Sequence, residues 1–109
     1  MANLTFDDLT KQVDEDYDHL TIVFDGKELV LLNVMRLSDQ KREAISKLYK
    51  DESEDLTLRE FFEGIIRNAA KYADVADEFL TKVNQKPDSL AYLSVVVEQY
   101  GEKTQVGEA

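Results

Sequence analysis

The stretch Leu20-Thr21-Ile22-Val23-Phe24-Asp25-Gly26-Lys27-Glu28-Leu29-Val30-Leu31-Leu32 decides the fold class. Two runs of β-branched and aliphatic residues flank an Asp-Gly pair. That pattern is a strong hairpin signal, because Gly supplies the positive φ that a tight turn needs. A two-residue turn sets Phe24 opposite Lys27, Ile22 opposite Leu29 and Leu20 opposite Leu31. Leu20, Ile22, Phe24, Leu29 and Leu31 then share one apolar face, and Thr21, Val23, Glu28 and Val30 share a mixed one. A bulged turn is the alternative and shifts the register by one residue. Two strands alone are marginal, so helices must cover the apolar face.

Helix signals lie on both sides. Upstream, Thr5 caps a short helix with Asp8 at the third position, and Asp7 and Asp8 complement the helix dipole. Phe6, Leu9 and Val13 form its apolar stripe. Downstream, Ser38 caps a second helix whose buried stripe is Ala44, Ile45, Leu48 and Tyr49. After an acidic loop, Asp51 to Asp55, Thr57 and Glu60 form a capping box with Leu56 and Phe61 as the hydrophobic staple. Leu58, Phe62, Ile65, Ala69, Tyr72, Ala76, Phe79 and Val83 then recur at alternating steps of four and three. Either one helix runs from Leu58 to about Asn84, or it breaks near Tyr72–Asp74, where Asp74 can cap a new helix. The length of a single such helix favours the break.

Pro87 ends that segment. Leu90 to Tyr100 is the last element, with Gly101 as its C-terminal cap. Val95-Val96-Val97 makes a strand the competitor there. As a helix it is apolar nearly all round: Leu90, Leu93 and Val97 on one stripe, Tyr92, Val96 and Tyr100 on another. The expected fold is α+β, mostly α, with one hairpin (about 20–32) packed on four or five helices. A single domain is expected over 1–101, with a flexible C-terminal tail over 102–109.

The chain has 109 residues, enough for one domain with one core. It has no cysteine, which excludes disulfides, thiol chemistry and cysteine-bound metals. Thirteen basic against twenty-three acidic residues give a net charge of −10. Such a chain is repelled by nucleic acid and by anionic membranes, so neither is an expected partner. No apolar run approaches a membrane span, and Met1–Leu4 has no signal-like region, so an intracellular protein is expected.

No catalytic constellation stands out. His19 is the single histidine and sits beside an acidic run, as an exposed loop residue would. Ser38, Ser46, Ser53, Ser89 and Ser94 have no triad pattern around them. Asp14, Asp16, Asp18 and Asp25 match four positions of a calcium-binding EF-hand loop, but His19 stands where glycine is needed and a strand follows instead of a helix. The four glycines form no phosphate-binding loop. Val34 to Lys50 carries five basic and two acidic residues, a net +3, read as pairing with neighbouring acidic segments. Gly64, inside a helix, suggests close helix packing. No cofactor, metal site or enzymatic activity is expected.

Two stretches are distinctive together. One runs from Leu20 through Gly26 and Leu31-Leu32-Asn33-Val34-Met35-Arg36-Leu37-Ser38 to Lys41-Arg42. The other runs from Asp88-Ser89-Leu90 through Val96-Val97-Glu98-Gln99-Tyr100 to Thr104-Gln105-Val106-Gly107-Glu108-Ala109. In order and spacing the chain resembles the tail assembly chaperones of long-tailed, siphovirus-type bacteriophages, especially those of actinobacteria. It departs in its lysine-rich composition and in Val106, where proline is expected. The resemblance implies a non-enzymatic protein of the host cytoplasm. Its expected partner is the tape measure protein, bound while the tail tube polymerises, and it would be absent from the mature virion. It also implies a longer form made by ribosomal frameshifting, and association with itself is a further expected contact. Tyr92, Val96 and Tyr100 are the expected partner-binding residues, partly exposed in the monomer. The competing readings are an acidic DNA mimic or host inhibitor, and a minor structural tail or connector protein.

Overall fold

The computed structural model describes residues 3–50 and 56–104. It is mostly helical with one antiparallel hairpin, an α+β arrangement dominated by α. The elements run in the order α1 (Phe6–Asp16), β1 (Leu20–Phe24), β2 (Lys27–Leu31), a 3₁₀ turn (Val34–Arg36), α2 (Asp39–Lys50), α3 (Leu58–Ala69), α4 (Ala73–Asn84) and α5 (Ser89–Thr104).

The hairpin has the two-residue register: Phe24 pairs with Lys27, Ile22 with Leu29 and Leu20 with Leu31. Asp25 and Gly26 both have positive φ, 48° and 73°, as a type I′ turn requires. A side chain in the left-handed region costs about 1 kcal/mol. Gly26→Ala should therefore lower Tm by about 4–8 °C, read by a thermal melt.

The starts of α1, α2 and α3 follow the sequence signals. At α1, Asp8 N–H donates to Thr5 Oγ1 and Thr5 N–H donates to Asp8 Oδ2, both at 3.1 Å. At α3, Glu60 N–H donates to Thr57 Oγ1 at 3.1 Å and Thr57 N–H donates to Glu60 Oε1 at 3.3 Å. Ser38 Oγ accepts from Lys41 N–H at 3.3 Å before α2.

The segment from Leu58 to Asn84 is broken. Its two helices are separated at Ala70–Tyr72, which the backbone uses to extend the sheet. Leu32 N–H donates to the Ala69 carbonyl at 2.8 Å, and Lys71 N–H donates to the Val30 carbonyl at 2.9 Å. Ala70 bridges to Leu31 in antiparallel fashion. These hydrogen bonds replace the helical ones that the break removes. Tyr72 precedes α4 without a side-chain cap, and Asp74 lies in the first turn rather than at the cap.

α3 is central, packing against α2, α4, α5 and β2. Leu29, Leu31, Ile45, Ile65, Ile66, Ala69, Leu80, Leu93 and Tyr100 have almost no solvent exposure. Phe24 meets Phe79 edge-on at 5.4 Å, joining the hairpin to α4. Gly64 allows the α2–α3 approach, because a Cβ there would lie 2.9 Å from Leu48 Cδ1. Arg59 of α3 donates to Asn84 and, at 2.8 Å, to the buried Ser89 Oγ, tying α3 to the α4–α5 corner.

At α5 the helical reading holds over the competing strand, and the expected end of the helix is corrected. The β-branched run Val95–Val97 is helical: Val96 and Val97 pack on the core while Val95 stays exposed, and that packing overrides β-propensity. The helix also passes through Gly101 to Thr104, so Glu102–Thr104 are not tail. One internal glycine costs about 1 kcal/mol, which the following helix-forming Glu102 and Lys103 tolerate. Lys103 also reaches Asp18 at 3.5 Å. The rest of the expected tail, and the acidic loop 51–55, lie outside the described residues.

Candidate partner-binding surface

The three residues expected to meet a partner separate on the fold. Tyr92 is 42% exposed, with Lys86 Nζ 5.7 Å from its ring centroid. Val96 is half-buried against the core. Tyr100 is fully buried, and its hydroxyl donates to the Leu32 carbonyl at 2.7 Å. Partial exposure of Tyr100 is therefore corrected. The buried stripe of α5 is Ser89, Leu93, Val97 and Tyr100, spaced by four, four and three. The phenol of Tyr100 is drawn inward by a strand-end carbonyl that needs a donor.

Other apolar residues take the exposed positions. On α5 these are Leu90 and Val95, with Val95 at 57% exposure. The larger surface is α1. None of its residues is buried. Phe6 is 81% exposed, Leu4 lies just before it, and Leu9, Val13 and Tyr17 follow at helical spacing, all exposed. The apolar stripe of α1 was legible from its spacing, but no spacing shows whether a stripe is covered by the rest of the chain.

The helix is nevertheless anchored at its base. Arg36 meets Asp14 at 3.0 Å, Lys103 meets Asp18, and Asn33 Nδ2 donates to the Asp18 carbonyl at 3.4 Å. Its N-terminal turn is expected to respond to pH. The hydrogen bonds with Thr5 hold the Asp8 carboxyl below its ordinary value of 3.8. A depressed folded-state pKa means stabilisation that is present above the ordinary value and lost as pH falls through the folded one. Ellipticity at 222 nm should therefore drop as pH falls below about 4. Asp8→Ala should show lower ellipticity at neutral pH and a shallower acid drop.

Several of the remaining charged side chains are paired. An open groove of about 410 Å³ lies between the hairpin turn and α4, lined by residues that include Asp25, Lys27, Asp77, Glu78 and Lys82. Lys27 pairs with Glu78, Lys82 with Asp25 at 3.2 Å, and Arg67 with Asp77. His19 sits 3.6 Å from Asp18. Among the basic residues between Val34 and Lys50, Arg36 pairs with Asp14 and Arg42 with Asp39. Among the described residues no group of histidine and carboxylate side chains could hold a metal ion, and no helix is long and apolar enough to cross a membrane. The arrangement offers chemistry for docking: an acidic, anchored helix with an uncovered apolar stripe. Comparison with protein-family models, with curated proteins and with solved structures gives no match.

Proposed function

We propose that this chain is a tail assembly chaperone of a long-tailed bacteriophage. It binds the tape measure protein in the host cytoplasm while the tail tube assembles, performs no catalysis, and leaves before the virion is complete. The resemblance in residue order and spacing supplies the family and the client. The observation that carries a binding role is the uncovered apolar stripe of α1 on a strongly acidic domain. Contiguous exposed apolar surface marks an interaction site, and net charge far from zero keeps such a protein soluble while it waits for a client. A frameshifted longer form would present the same domain with an extension.

The test is a pull-down with this chain as tagged bait from cells making the phage proteins, read by mass spectrometry, beside an immunoblot of purified particles. The expected result is recovery of the tape measure protein and no signal in the particles. Recovery of host DNA-binding proteins would favour an acidic DNA mimic instead. Signal in the particles would favour a structural tail or connector protein.

A further inference from the structure

We infer that α1 is the client-binding arm, and that the segment it takes is an amphipathic helix bordered by lysine and arginine. This rests on the chaperone reading and adds the site and the chemistry of the bound segment. The apolar stripe of Phe6, Leu9, Val13 and Tyr17 repeats along one side of the helix and is open along its length. At 100° per residue, Asp7 and Asp14 border one side of that stripe and Asp16 the other. α1 holds one lysine against five carboxylates, a net charge of −4.

That charge selects the occupant. A second copy of α1 laid against the first would oppose −4 with −4, and an anionic membrane or nucleic acid would be repelled in the same way. A helix with its own apolar stripe and a basic border meets both features at once. The arm is also preformed. An isolated helix of this length is marginal in water. Here the capping box fixes one end, and Asp14–Arg36 and Asp18–Lys103 fix the other. The ordering cost is thus met before the client arrives.

The experiment measures fluorescence polarisation of overlapping synthetic peptides of the tape measure protein against the full chain, with parallel capture of the full-length tape measure protein. The bound peptides should be amphipathic and net positive. Raising salt from about 50 to 500 mM should weaken binding several-fold, since exposed charges are screened. Phe6→Ser with Leu9→Ser should weaken binding at least about 30-fold, because two apolar anchors are lost, while the melting curve stays unchanged. Asp7→Lys with Asp16→Lys should weaken it and flatten the salt dependence, and Tyr92→Ser should leave it intact. Binding of neutral or acidic peptides, or equal affinity of the Phe6/Leu9 variant, would overturn the inference. So would self-association that the Phe6/Leu9 variant abolishes. Capture of the full-length client by wild type and variant alike overturns the role of α1 alone. Capture by neither overturns the chaperone reading as well.

Discussion

Tyr100→Ala should lower the melting temperature by more than about 15 °C. The ring is fully buried, and truncating a large buried aromatic costs about 3–5 kcal/mol through lost transfer energy and the cavity left behind. In a domain of this size each kcal/mol moves Tm by about 4–8 °C. The substitution also removes the donor to the Leu32 carbonyl. Tyr100→Phe separates the two effects. It keeps the ring, loses the hydrogen bond, and should cost only about 1 kcal/mol. A thermal melt of both variants checks the pair. If Tyr100→Ala melts like wild type, α5 does not seat this residue in the core.

Phe79→Ala and Phe6→Ala should differ by at least about 3 kcal/mol although the side chain removed is the same. Phe79 is 6% exposed and packs edge-on against Phe24, so its loss opens a cavity between α4 and the hairpin. Phe6 is 81% exposed. Surface changes of that kind stay within about 0.5 kcal/mol. Denaturant unfolding of the two variants gives the comparison directly. A large loss from Phe6→Ala would mean that α1 packs on the body in solution, and its stripe would then be core.

The parts legible in the sequence were those set by local chemistry. Asp25-Gly26 dictates its turn, and the turn dictates every pair from Leu20↔Leu31 to Phe24↔Lys27. Thr5–Asp8 and Thr57–Glu60 fix two helix starts through their own hydrogen bonds. The break before α4 was legible to within a few residues, but not in cause. Its cause is the pairing of Ala70 and Lys71 with the end of β2, a contact between residues about forty positions apart. α5 was ambiguous because it is apolar nearly all round, and periodicity cannot choose between stripes when each is apolar. The choice was made by the Leu32 carbonyl and by the packing of α3 and β1 on α5. The same limit hid the proposed binding surface. The stripe of α1 has the spacing of a core-facing helix, and only its exposure among the described residues distinguishes the two roles.

The most direct test is co-expression of the tape measure protein with and without this chain, followed by separation of soluble and insoluble fractions. The account predicts that the tape measure protein is largely insoluble alone, and that with this chain it is soluble and co-purifies with it. A tape measure protein whose solubility does not change, with no complex on a sizing column, would contradict the account.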